Sequence, residues 1–513
     1  MTNSKFIIYF PTLILSLLPL GFIIGPLIAE ILINCLILLF LLNVIKNKNF
    51  SIFKNRIFIF FFIFYIYLII NLLLSDFLKQ SGLNVFAYIR FILFPFAIYS
   101  ILEKNEKNIK FVFISLSLTI LIVVMDGYYQ FVFDKNLLGY EKYRVDRISG
   151  FFKEDLVLGS FLSRLIPLFI GITLFFKNEL KLTALNLTIF LLAFILIFLS
   201  GERAAFLTSL ITIFIIIIQI NSFRYLRLFF CLILILSIST ITLINPTIFD
   251  RYITQTKNQI LGGSNKLDND FSKILPNYMP MFKTSIKMFK ENKLLGMGPK
   301  SFRYLCDDKR FISYFSQIYY TDNTIIKIEN SWKEKRYINP EKFYIKEGNI
   351  VNKNDKIFSY KFDNDNKTYI FVSDKEGKIK KIYKKKRYQQ FDVVLDIVPQ
   401  SSPERQYFYK NSCNTHPHNF YIQILAEIGL IGFVFIFGIF AYLFYLLIKN
   451  LFYKYFKKKN LFSDSEVCIL IGLFMVLWPL TTNGNFFNNW INLISFYPLG
   501  FFFYFFNKKK ENK

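Results

Sequence analysis

Residues 184–220 read ALNLTIFLLAFILIFLSGERAAFLTSLITIFIIIIQI. Two apolar runs, 184–200 and 204–220, are parted only by Gly201, Glu202 and Arg203. A helix of about 20 apolar residues crosses roughly 30 Å of hydrocarbon with every backbone polar group bonded internally. The stretch therefore reads as a membrane hairpin whose turn holds a carboxylate and a guanidinium at the membrane boundary.

The same pattern extends in both directions. Of the 513 residues 54% are hydrophobic and 65 are Phe, gathered in long uninterrupted runs, which is membrane composition. About twelve runs are long enough to cross, at 6–24, 27–45, 57–75, 85–102, 109–125, 157–176, 184–200, 204–220, 228–245, 419–448, 465–482 and 490–506. The first, with Lys5 nearby and no small-residue cleavage site, reads as a retained helix, bent by Pro11 and Pro19. The fold class expected is an all-α polytopic membrane protein. Helices 1–9 fill 1–245, a loop domain fills 246–418, and helices 10–12 with a tail fill 419–513.

Short loops rich in Lys and Arg stay on the cytoplasmic side. One alternating set carries Lys46, Lys48, Lys54 and Arg56, then Lys104, Lys107 and Lys110, Arg224 and Arg227, Lys454 and Lys457–Lys459, and the tail Lys508–Lys510. The other set, 76–84, 126–156, the Gly201–Arg203 turn, 246–418 and 483–489, faces outward. Both termini are then cytoplasmic. The net charge of +27 is partly this topology and partly the Lys-rich outer segment, and does not read as nucleic-acid binding.

Cys35, Cys231 and Cys468 lie inside apolar runs and read as packing residues, whereas Cys306 and Cys413 bracket the outer segment. A disulfide between these two is permitted in an oxidising compartment such as a bacterial periplasm. Within the segment, Pro280–Glu291 reads as a helix ended by Gly296, Gly298 and Pro299. From 341 to 398 the pattern is short and β-like, with turns at 347–349, 352–355, 363–366 and 376–377. Residues 343–360 and 371–382 look like the barrel-sandwich hairpins of biotinyl/lipoyl-type domains, without an attachment tripeptide; an unrelated β-meander is the plainer reading.

Ionisable residues beside spans are costly and mark functional sites. Arg203 could snorkel or pair with Glu202; alternatively its planar fork of donors matches a diphosphate. Arg144, Arg147, Lys153, Glu154 and Asp155 gather in the loop before the span holding Arg164, where solubility alone would also favour charge. The chain has two histidines, His416 and His418, both within Cys413-Asn-Thr-His-Pro-His-Asn-Phe-Tyr421 at the return to the membrane. Neutral imidazole can take a hydroxyl proton near pH 7. Two histidines around a proline are too few for a metal site, and Asn419 would cap the helix that follows.

The run from His416 to Gly432, with His418-Asn419 and Glu427, resembles the signature after the large periplasmic loop of O-antigen ligases, related polymerases and protein O-oligosaccharyltransferases. The Ser200-Gly-Glu-Arg-Ala-Ala205 turn, the Arg147 segment and Leu295-Gly-Met-Gly-Pro-Lys-Ser-Phe302 are similar to that family's recurring segments. The resemblance implies a cofactor-free, metal-independent, inverting transfer of glycan from undecaprenyl diphosphate to an acceptor hydroxyl, such as lipid A-core, at the periplasmic face of a bacterial inner membrane. It assigns the base to His418, with His416 as orienting neighbour, and the diphosphate to Arg203 and Arg147. Glu427, Glu154 and Arg144 are then acceptor-site or structural groups. The insert departs from the simplest family pattern. A polymerase using a second lipid-linked repeat is the near alternative. A flippase would need ionisable residues along the spans, where only Glu30, Arg90 and Arg164 occur, and a non-catalytic scaffold displaying the insert is a further alternative.

Overall fold

The structure, a computed structural model, describes residues 3–105, 107–144, 146–260, 278–313, 325–327, 338–362, 367–373, 376–388, 393–398 and 413–511. The chain forms two compact units, one of Met1–Ile312 with Ser412–Lys513 and the other of Ser313–Asn411.

The first unit is helical. Its elements are α1 (Asn3–Ile24), α2 (Pro26–Lys46), α3 (Arg56–Leu73), α4 (Leu78–Phe86), α5 (Ile89–Lys104), α6 (Lys107–Phe133), α7 (Leu158–Phe175), α8 (Leu180–Leu199), α9 (Arg203–Gln219) and α10 (Arg224–Ile244). Three shorter pieces follow, α11 (Pro246–Phe249), a π-helical turn at Asp250–Thr254 and α12 (Gln255–Ile260). Then come α13 (Met279–Glu291), α14 (Phe302–Leu305), α15 (Phe420–Phe456), α16 (Asp464–Val476) and α17 (Asn489–Glu511).

Among the described residues eight helical stretches are long and apolar enough to cross a membrane, fewer than the twelve runs expected: α2, α3, Leu78–Lys104, α6, α7, α8, Arg227–Ile244 and α15. The other four runs are helical as well. Apolar Tyr9–Ile24 and α9 fall short in length, and α16 ends at Val476 rather than 482. α17 starts in a polar segment and ends in lysines. The run expected at 419–448 is a 37-residue helix broken at Ile428 and Gly429, where φ reaches 63° at the glycine.

The bundle core runs between α5 and α17, α7 and α16, and α1 and α2. Several polar groups inside it are matched. Arg90 and Glu30 pair at 3.3 Å, so these two ionisable residues of the spans compensate each other. Gln219 accepts from Asn450 at 2.8 Å, and Lys454 Nζ donates to the carbonyls of Ile218, Gln219 and Ile220, closing the C-terminus of α9. Ser463 and Glu466 form a capping box that starts α16.

The second unit is β-rich. Its strands are β1 (Ile325–Lys327), β2 (Ile338–Phe343), β3 (Ile350–Val351), β4 (Lys356–Phe362), β5 (Tyr369–Val372), β6 (Gly377–Ile382) and β7 (Val393–Val398). They form two antiparallel sheets, β1-β7-β6-β3 and β2-β4-β5. Ile338, Val351, Ile357, Phe358, Ile379, Tyr388, Leu395 and Ile397 make its core, β4 being buried at consecutive positions rather than on one face. Gly348 at φ 89° and Asn354 at φ 72° make the turns expected at 347–349 and 352–355. The turn expected at 363–366 lies outside the described residues.

Candidate functional site

The site is built outward from the Gly201–Arg203 turn. Gly201 has φ 69°, and a Cβ there would meet the Asp146 carbonyl at 2.6 Å. Only glycine allows both the left-handed backbone and that approach. The turn is thereby pressed onto the loop carrying Arg147. The next residue, Glu202, points back into the protein. Its carboxylate accepts from Gly159 N at 2.7 Å, Ser160 N at 3.1 Å and Ser160 Oγ at 2.6 Å, at the N-terminus of α7, where unpaired N–H groups and the helix dipole favour an anion. Arg147 stands 3.9 Å away. Burial pushes the Glu202 carboxyl above its ordinary range, opposed by Arg147 and these hydrogen bonds.

Arg147 donates to Leu156 O at 3.0 Å, and burial lowers its pKa, opposed by Glu202. Arg203 donates to Thr256 Oγ1 at 2.9 Å, tying α9 to α12. A residue not singled out in the sequence joins them. Arg251, in the π-helical turn, donates to Gly201 O at 3.1 Å and stands 3.5 Å from Asp146, which also holds Arg144 at 3.1 Å. Burial lowers Arg251 to about 10, and the charges on Arg203, Arg147 and Arg144 push it the same way while Asp146 opposes. Four guanidinium groups thus converge with one buried carboxylate and one Asp to compensate them. Glu154 is exposed on its turn, and none of the contacts of this cluster runs through it.

The second group is the loop 413–419. Its base is fixed by the Cys306–Cys413 disulfide, which joins positions 107 apart in sequence. Its far end is fixed by Asn419, whose Oδ1 accepts from Tyr421 N and Ile422 N as the cap of α15 and whose Nδ2 donates to Pro479 O at 2.9 Å. Between these anchors the rings of His416 and His418 lie 4.2 Å apart. His418 sits at φ 59°, a strained conformation for a residue with a Cβ. Its Nε2 is 3.1 Å from Asn414 Nδ2, so the ring nitrogen accepts there, and its ring meets Tyr278 edge-on. Burial lowers His418 below its ordinary pKa. Burial and the neighbouring charge of His418 take His416 down to about 4. Both rings are neutral near pH 7.

The third group is the break in α15. Met297 N donates to Ala426 O and Gly298 N to Glu427 O, while Leu430 N donates to Lys293 O, so residues 293–298 run against the broken helix like a strand. Gly296 and Gly429 make the approach possible: a Cβ on Gly296 would meet Gly429 N at 2.6 Å. Tyr67 donates to Ile428 O, and Asn71 Nδ2 to Leu295 O at 2.5 Å. The backbone freed by the break is satisfied from α3, as non-helical chain at membrane depth requires. Glu427, fully buried, accepts from Phe302 N, Lys300 N and Gln423 Nε2. Its carboxylate starts α14, the helix that leads to Cys306.

A cleft is lined by residues next to the first two groups, though by none of their guanidinium groups and by neither histidine. Its walls are Ser160, Ser163 and Arg164 of α7, Ala204, Ala205 and Thr208 immediately after Arg203, and Thr481–Asn483 after α16. Asn483 N donates to His418 O at 2.9 Å. Val476 lines both this cleft and a neighbouring apolar cavity among α3, α5, α15, α16 and α17, walled by Phe61, Phe64, Ile436, Leu473 and Phe496. A polar cleft thus adjoins an apolar chamber. Among the described residues no three His, Cys, Asp or Glu side chains come together as a metal site needs.

Arg251, Asp146 and Asn483 escaped the sequence reading. Arg251 lies only six residues past the run that ends at 245, on the outward side, which was a usable signal. Residues 188–329 match the O-antigen ligase family model, a family of membrane enzymes of glycan assembly that includes ligase and polymerase types. The matched stretch takes in Glu202, Arg203, Arg251 and the Gly296–Phe302 segment, and ends before the histidine loop. No curated protein matches the chain.

Proposed function

We propose that this protein transfers a glycan from undecaprenyl diphosphate to an acceptor hydroxyl, by an inverting and metal-independent reaction at the periplasmic face of a bacterial inner membrane. What supports the reading is a polar cleft lined by Ala204, Ala205 and Thr208, which follow Arg203, and by Asn483, whose N–H holds the His418 carbonyl. His418, neutral, takes the proton of the acceptor hydroxyl on Nε2, the hydroxyl displacing Asn414 Nδ2 from that nitrogen, as its oxygen attacks the anomeric carbon. The bond from that carbon to the diphosphate oxygen breaks on the opposite face. Arg203, Arg147 and Arg251 stabilise the negative charge that the lipid diphosphate gains, as fixed cations in a water-poor site do. His416 orients His418. Glu427 and Glu202 are structural carboxylates, and Arg144 holds Asp146.

The chamber beyond Val476 suits the hydrocarbon of a lipid-linked donor, because it is apolar and opens beside the polar cleft. Twelve membrane helices, with α1, α9, α16 and α17 completing the eight long ones and both termini cytoplasmic, put the cleft outside. Lipid A-core is the acceptor of a ligase and a second lipid-linked repeat that of a polymerase. The test is incubation of purified protein with a lipid-linked oligosaccharide, with and without lipid A-core. Product on the core supports the ligase, and a ladder of longer lipid-linked chains supports the polymerase. Undiminished transfer by His418→Ala would sink the mechanism.

A further inference from the structure

The β-rich unit has a feature that the transfer step does not use. The ten residues from Lys378 to Arg387 contain seven Lys or Arg and no Asp or Glu. In β6 Ile379 is inside and Lys378 and Lys381 are outside, an irregularity between Ile379 and Lys381 bringing both lysines to the surface, and the turn after it exposes Lys384, Lys385, Lys386 and Arg387. This turn is fixed from below. Tyr388 is fully buried, its backbone pairs with Ile338 in both directions, and its hydroxyl donates to Tyr383 O at 2.5 Å and accepts from Lys385 N at 3.2 Å. Four consecutive cations are therefore held on an ordered turn despite their mutual repulsion.

Aromatic rings lie among the cations. Lys381 Nζ is 5.1 Å from the centre of Tyr383, Lys384 Nζ is 5.5 Å from Phe343, and Lys342 Nζ is 5.7 Å from Tyr344. Glu347 accepts from the backbone of Ile382 at 2.9 Å. Fixed cations interspersed with ring faces match a chain that carries repeated negative charge and flat C–H faces. We infer that β6 and the 383–388 turn bind an acidic saccharide, bearing phosphate or carboxylate groups, as part of the acceptor or growing product. The saccharide identity rests on the glycan-transfer reading, whereas binding itself can be measured without turnover.

The experiment uses the full chain in neutral phosphatidylcholine nanodiscs, with fluorescent polygalacturonate as probe and dextran of equal length as the uncharged control. Wild type is expected to bind polygalacturonate and ignore dextran. Replacing Lys384, Lys385, Lys386 and Arg387 together by Gln should weaken binding by about 10-fold or more, as should high salt. Tyr388→Phe keeps every cation but frees the turn, and should weaken it by roughly 2–5-fold. Should the fourfold variant fail to fold, Lys384→Glu reads the same effect. His418→Ala should bind as wild type does, which separates this inference from the catalytic reading. Equal binding of dextran, unchanged affinity in the charge variants, or binding to phosphatidylglycerol vesicles without binding to polygalacturonate would each overturn it.

Discussion

At the scale of single residues, the site depends on side chains whose protonation is set by burial. His418 is held below its ordinary pKa of 6.5 by burial. A base is lost when it is protonated, so the acid limb of transfer against pH should fall below 6.5, and the rate should hold to lower pH than an exposed histidine would permit. An acid limb at or above 6.5 in the reconstituted reaction would contradict the burial of this ring. His416 adds a stability effect of defined sign. Its folded pKa, about 4, lies below the unfolded value, so the unfolded state binds the extra proton, and stability is lost as pH falls from 6.5 toward 4. Arg251→Ala should lower kcat by about 10- to 100-fold, the loss of one charge-assisted hydrogen bond of about 1.5–3 kcal/mol. Kinetics equal to wild type would remove Arg251 from the leaving-group site. Arg203, Arg147 and the two histidines could be singled out in the sequence because a charge in so short a turn, and a residue type used twice in the chain, are conspicuous. Asp146 could not, because its importance arises only when Gly201 lets two loops touch, and Arg251 offered no more than its place six residues past a run.

At the scale of elements, periodicity and apolar runs located the helices well and their interruptions poorly. The run at 419–448 contained Gly429 and Gly432, but glycine is common in membrane helices. Nothing local to that run announced that Leu294–Gly298 would lie along the break. Glu427 shows the same limit: the sequence left it open between an acceptor-site and a structural role, and the N–H groups of Lys300 and Phe302, from a distant segment, give it a helix-capping geometry. Glu427→Ala should strand the N–H groups of Lys300 and Phe302 and lower stability by about 2–5 kcal/mol, measured as the thermal midpoint in detergent. A midpoint within a degree of wild type would contradict the capping role. In the insert, Gly348 and Asn354 were legible because left-handed turns demand such residues, while the pairing of β1 with β7 joins strands more than sixty residues apart and leaves no local trace.

At the scale of the whole molecule, membrane residence was legible in composition, while the lysines of alternate loops supply only a proposed sidedness. Among the described residues the bundle shows eight long apolar helices and four segments that are shorter or less apolar. The orientation proposed from loop charge is open to direct measurement. Single cysteines placed at Asn49 and at Glu154, in a background lacking the other cysteines, should react with a membrane-impermeant maleimide only after permeabilisation at 49 and without it at 154. The reverse pattern would put the cleft on the cytoplasmic side and end the periplasmic reading.

The disulfide has a consequence for how such a chain can change over time. Cys306 and Cys413 have Cα atoms 4.8 Å apart, yet 107 positions separate them. From the standpoint of the helices and the histidine loop, the polypeptide leaves and returns through one doorway, and the doorway is bolted. What lies beyond it is cargo. Its length and content can be exchanged while the hinge of the reactive loop stays put, so new saccharide preferences can be acquired by swapping the pendant segment rather than by rebuilding the machinery. Replacing 314–411 with a short Gly-Ser linker that preserves the bridge should therefore leave the histidine loop and transfer to simple acceptors intact. Loss of the folded bundle on such a swap would show that the cargo had become part of the frame.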